Sequence, residues 1–156
     1  MDPAYRSRAI GDLHLSVWHR AADGADVQRL RDELRTLARS RPRISLMLVI
    51  PSGVGLSSDT ARREAIEMLR ELKPALTAIA LVIRGSGFAA AAIRAMFTGL
   101  GLVLRIGVPW KMFAEVDDAM PWLAALMRDD GADMVPDELV GRIADVLASA
   151  TATTSS

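Results

Sequence analysis

The sequence predicts a single α/β domain built on a mixed, mostly parallel sheet of about five strands, and two observations carry that expectation. Ile44–Ile50 (ISLMLVI) and Thr77–Ile83 (TAIALVI) are unbroken apolar runs of strand length, the pattern of central strands covered on both faces. Segments with helical periodicity separate them, so the strands must be joined by crossovers and pair in parallel. Composition agrees: 156 residues suit one domain, and a chain 51% hydrophobic but only 4% aromatic fills its core with small aliphatics.

The elements follow in order. Tyr5–Ile10 and Leu13–Arg20, split by Gly11-Asp12, predict an N-terminal hairpin. Alternation sets Leu13, Leu15 and Val17 on one face and His14, Ser16 and Trp18 on the other. Val27, Leu30, Leu34 and Leu37 recur at helical spacing, giving a helix from Ala25 to Ser40, capped by Asp23 and stopped by Pro42. After strand Ile44–Ile50, PSGVGLSS is a loop and Asp59–Lys73 a helix facing inward with Ala61, Ala65, Met68, Leu69 and Leu72. Beyond Thr77–Ile83, Arg84-Gly85-Ser86-Gly87 is a tight loop and Phe88–Leu100 an Ala-rich helix punctuated by Gly99 and Gly101. Leu102–Val108 reads as the last strand, Pro109-Trp110-Lys111 as loop, and Asp118–Arg128 as a helix that tolerates Pro121 in its first turn. The domain organisation expected is a core over residues 1–128, a linker and appended helix over 129–150, and a disordered tail over 151–156.

Several function classes are disfavoured at once. Lys+Arg and Asp+Glu are both 19, so no global field draws nucleic acid. There is no cysteine, which removes disulfides and thiolate chemistry and argues against structural zinc. The N-terminal MDPAYRSRAIGD carries no apolar segment of signal-peptide type, so a cytoplasmic chain is the expectation. The longest apolar stretch, Phe88–Trp110, contains Arg94 and Arg105 and falls short of a membrane span. No nucleophile sits beside a base in a recognisable motif, so neither an enzyme nor a cofactor is expected.

Candidate binding residues cluster in the loops after the central strands. Ser57 and Ser58 precede a helix, where serine caps the first turn and where an added phosphate is electrostatically favoured. Asp59 in the same turn opposes such a phosphate. Ser52, Gly53, Arg84, Gly85, Ser86 and Gly87 lie at the carboxyl ends of adjacent strands, the usual ligand position in open α/β sheets. They are candidates for holding a small anion through free amides and the Arg84 guanidinium. Neither loop has the Gly-Lys-Ser/Thr of a P-loop or a full dinucleotide fingerprint, and glycines at such turns also serve geometry alone. His14 and His19, five residues apart on a strand, face opposite ways and share no metal. Arg29, Arg31, Arg35, Arg39, Arg41 and Arg43 interleave with acids and read as a solvated helix face with local ion pairs.

The helix from Phe88 is apolar on most sides and needs cover on most sides. The appended C-terminal helix, a second subunit or a partner can supply it. Phe88, Ile93, Met96, Phe97, Trp110 and Met112 are therefore interface candidates, with plain core packing as the competing reading.

Ile93-Arg94-Ala95-Met96-Phe97-Thr98-Gly99-Leu100, followed by Phe113, Val116, Asp117, Asp118, Ala119 and Trp122-Leu123, is similar to the last third of the STAS domain. The chain resembles in particular its SpoIIAA-like branch over about residues 5 to 127. That resemblance implies a regulatory protein-interaction module of the anti-sigma-factor-antagonist type, switched by phosphorylation of a serine at the helix start. The corresponding loop here is Val54-Gly55-Leu56-Ser57-Ser58-Asp59, with Leu56 in place of the family's acid and Asp59 in place of its glycine. Ile50-Pro51 also stand where the preceding strand usually ends in an acid. A small lipid- or anion-binding protein and a structural homodimer subunit are the alternatives.

Overall fold

The computed structural model describes residues 2–105, 107–129 and 141–148. β1 (Tyr5–Ile10) and β2 (Leu13–Trp18) form an antiparallel hairpin across a two-residue turn, with Gly11 at φ +58°. α1 (Gly24–Ser40), β3 (Ile44–Ile50), α2 (Asp59–Leu72), a 3-10 turn at Lys73–Ala75, β4 (Leu76–Ile83), α3 (Phe88–Leu104), β5 (Trp110–Phe113) and α4 (Val116–Asp129) follow. Residues 141–148 are helical and are called α5.

The sheet order is β1-β2-β3-β4-β5, with every pair after the hairpin parallel. The strands are laid down in one direction across the sheet. Right-handed crossovers then place α1, α2 and α3 on a single face. Trp18, Leu46, Ile79, Leu81 and Ile83 form that face of the core. Leu15, Val17, Met47, Val49, Ala80 and Val82 form the other, beneath Ala119, Leu123, Ile143 and Val146 of α4 and α5. Alternation along β3 and β4 separates the two layers, as period 2 requires. The small side chains Ala78 and Ala80 let α4 approach the sheet closely.

Two elements differ from the sequence expectation. The helix from Phe88 does not stop at Gly99 or Gly101 but runs through both to Leu104. The last strand is Trp110–Phe113 rather than Leu102–Val108. A short apolar run carries no period that separates helix from strand, and here the helix continues. Its end is set by Arg105, left-handed at φ +39°, whose amide bonds the Gly101 carbonyl. Gly101 serves packing: a Cβ there would collide with the Trp110 ring, so the glycine lets β5 dock on the helix. Pro121 also falls deeper in its helix than the first turn, because α4 begins at Val116. It is exposed, as is Asp117, whose carbonyl loses its helical donor to the proline. The expected linker and tail lie outside the described residues, apart from Asp129.

Candidate functional site

Ser58 is the N-cap of α2: its Oγ accepts the Ala61 amide at 3.1 Å. Asp59 pairs with Arg62 in the same turn. Ser57 is half-buried and lines an apolar slot between α2 and α3. The slot holds about 80 Å³ and is floored by Leu48 and Ile50 of β3, with Trp18, Met68, Ile93, Met96 and Phe97 around it. Arg20 and Arg62 stand among its wall residues, and both are engaged, with Asp26 and Asp59.

The interface candidates divide. Ile93 is a core residue, buried against the sheet. Met96, Phe97, Trp110 and Met112 are half-buried on the same layer. Phe88 stands 91% exposed at the start of α3, and Leu56, at the start of the loop serine pair, is 46% exposed. The appended helix does not cover them, since Ile143 and Val146 of α5 pack on the opposite face of the sheet. α3 begins without a side-chain cap at Gly87, whose φ is +99°. What fixes it instead is Arg94, whose Nη2 donates to the Ile83 carbonyl at 2.9 Å and the Gly85 carbonyl at 3.1 Å. The polar residue that looks misplaced in an apolar helix thus ties that helix to the end of β4.

The two loops nominated for an anion do meet. A Cβ on Gly85, at φ +93°, would lie 2.7 Å from Ser52 Cβ, so the β3 and β4 loops abut with only glycine's width between them. Gly53 and Gly87 are also at positive φ, and Ser86 is exposed beside them. Arg84 is about half exposed and reaches Glu115 at 3.6 Å.

Sequence reasoning missed a cluster between the hairpin and α1. Glu33 accepts from Tyr5 Oη at 3.0 Å, Ser7 Oγ at 2.7 Å and His14 Nε2 at 2.9 Å. The carboxylate only accepts, so His14 carries its proton on Nε2. Burial pushes the Glu33 carboxyl up, but the bonds from His14, Ser7 and Tyr5 outweigh it and hold the pKa below its ordinary value. Burial, followed by the Glu33 charge and hydrogen bond, drives the Tyr5 phenol upward. A carboxylate so held is a poor base, and the cluster fastens β1 and β2 to α1. The signal was present in the sequence: Tyr5, Ser7, His14 and Ser16 belong to one face of the hairpin, but only the fold shows that Glu33 lies over it. His19 bonds the Pro3 carbonyl at 2.8 Å instead and shares nothing with His14.

Asp26 plays the matching part at the start of α1. It accepts the Ala4 and Asp23 amides and the Arg20 guanidinium. Burial raises its pKa, yet those amides and then Arg20 win and lower it. The arginine run is less local than expected: Arg31 and Arg35 reach across to Glu71 of α2, and Arg31 also to Glu64. Arg41 pairs with Asp12. Among the described residues no group of three or more acidic or imidazole side chains converges as metal ligands, and no helix is long and apolar enough to cross a membrane.

No protein-family model and no curated protein matches this sequence. A solved structure does: an uncharacterized protein of the DUF3478 family with a SpoIIAA-like fold, from Shewanella loihica PV-4. It is 15% identical, with a TM-score of 0.55, over 77% of this chain and 92% of that one. The chain has a SpoIIAA-like fold. The SpoIIAA-like fold agrees with the resemblance read from Ile93–Leu100 and Phe113–Leu123, although β5 within that stretch begins only at Trp110.

Proposed function

We propose that the protein is a non-catalytic interaction module that takes an apolar side chain of a partner protein into the slot between α2 and α3. The slot carries this reading. At about 80 Å³ it is smaller than the roughly 150 Å³ cavity that accepts a benzene ring, which suits one side chain better than a lipid tail. Leu56, between the lining residues Gly55 and Ser57, and Phe88, at the start of the helix that forms one wall, supply exposed apolar contact of the kind enriched at interfaces. In the manner of an antagonist switch, Ser57 is the better of the two serine candidates, because the Ser58 hydroxyl is committed to the α2 cap. A phosphate on Ser57 would set a double charge at the wall of an apolar slot and oppose docking.

The test is a photo-crosslinking amino acid at position 88 in the full chain, expressed in its own cells, with the same group at exposed Arg128 on α4 as the control. The reading expects one protein adduct from position 88, none from 128, and loss of the adduct in Ser57→Glu. Adducts only between copies of the chain would replace this reading with the structural homodimer, and no adduct would reject it.

A further inference from the structure

We propose that the cavity at the carboxyl end of the sheet binds a small organic oxyanion, a carboxylate or phosphate carried on an apolar body. This site is separate from the slot and does not depend on it. The cavity measures about 800 Å³, within the roughly 300–1,000 Å³ range of small-molecule sites. It opens where β2, β3 and β4 end, the position where open α/β sheets take ligands.

Its lining has two characters. The apolar wall wraps the end of the sheet: Val17 and Val49 contribute from one face, and Val54, Trp18 and Tyr5, whose ring centroid lies 4.6 Å from that of Trp18, from the other. Both aromatic side chains are almost wholly buried, so they back the cavity as a rigid support. Arg6 from β1 and Arg84 from the end of β4 both line the cavity, on either side of the ends of β2 and β3. Asp2 is the one acid among the described lining residues. Glu115 does meet Arg84, but at 3.6 Å with both side chains about half exposed, a loose pair that an oxyanion can displace at small cost. A guanidinium favours planar or tetrahedral oxyanions because it presents a fork of donors.

The rim is held in place. Gly85 abuts Ser52, Arg94 bonds the Gly85 and Ile83 carbonyls, and the Arg84 amide bonds the Ile50 carbonyl at 2.9 Å. On the other side, His19 Nε2 bonds the Pro3 carbonyl and secures the segment before β1. Arg6 and Arg84 therefore project from fixed backbone, which limits the ordering cost of binding. Of the anion-loop residues nominated from the sequence, Ser52, Gly53 and Arg84 line this cavity, together with the hairpin, the segment before it, and Leu147 and Ala148 of α5.

Isothermal titration calorimetry of the full chain with phenyl phosphate, inorganic phosphate and phenol tests the proposal. Phenyl phosphate is expected to bind about tenfold more tightly than either fragment, since each lacks one half of the recognition. Arg6→Ala and Arg84→Ala are each expected to weaken it about tenfold, with an unchanged thermal midpoint because both side chains are exposed. Arg70→Ala, on α2 and paired to Glu67, is expected to leave binding unchanged. Absence of binding by phenyl phosphate overturns the proposal, as does equal weakening by Arg70→Ala, which would mean general charge attraction. Equal affinity for inorganic phosphate would overturn the role given to the apolar wall.

Discussion

α1 with α2, and α3 beside them, lie on the same face of the same sheet but are held by different means. The first two are clasped: Arg31 and Arg35 bridge to Glu71, Asp23 and Asp26 form a reciprocal capping box, and Ser58 caps the second helix. Glu33 further pins α1 to the hairpin. α3 starts uncapped at Gly87, is fixed by Arg94, exposes Phe88 and leaves a slot along its α2 side. The adaptable surface of this fold therefore lies along α3. A helix whose apolar side chains are incompletely matched is the one able to receive something else, whereas a helix saturated with polar pairs has a fixed position.

The largest expected effect comes from truncating the core under each helix. Leu34→Ala in α1, at a fully buried position, should cost about 2–5 kcal/mol in urea unfolding. Ile93→Ala in α3 should fall at or below the lower end of that same range, about 2 kcal/mol, because neighbours beside the slot can close over the space. Equal losses at the two positions would show that α3 is packed as tightly as α1.

The Glu33 latch gives the next effect. Its folded-state pKa is depressed, so its contribution is present above the unfolded value of about 4.3 and is lost as pH falls through the lower folded value. Glu33→Gln should lower stability at pH 7 by about 1 kcal/mol, a figure kept small by the partial exposure of the carboxylate. The variant should also show a flatter decline of stability in acid. An unaltered acid limb in chemical denaturation across pH would show that the latch does not couple α1 to the hairpin.

The smallest effect separates the two serines. Ser58→Ala should cost about 1 kcal/mol through loss of the α2 cap, whereas Ser57→Ala should stay within about 0.5 kcal/mol. A comparable loss at Ser57 would sharpen the picture differently, by making it a structural residue of the slot and not a free hydroxyl.

Most of the architecture is legible in the residues. Ile44–Ile50 matches β3 residue for residue, the hairpin faces alternate as written, and Asp23 caps α1. Legibility fails at Leu102–Val108 because a short apolar run is compatible with either backbone, and the choice rests on the Trp110 ring lying against Gly101. It fails for the arginines of α1 for another reason. Spacing along one helix reports local neighbours, while Glu64 and Glu71 arrive from a second helix. Of the candidate sites, the loops and serines were readable as positions, but not the slot, the Glu33 cluster or the presence of Arg6 and Arg84 in the lining of one cavity.

What the sequence determined by itself is the set of elements and their buried faces, because hydrophobic period and capping act within about one turn or one strand. The crossovers then follow from chirality, and so does the gathering of α1, α2 and α3 on one face. Which apolar surface remains open is set by long-range packing. α5 buries Ile143 and Val146 on the far side of the sheet, leaving Phe88 and the slot uncovered. That choice depends on competition between two apolar faces for one helix, a long-range packing energy that no local pattern encodes.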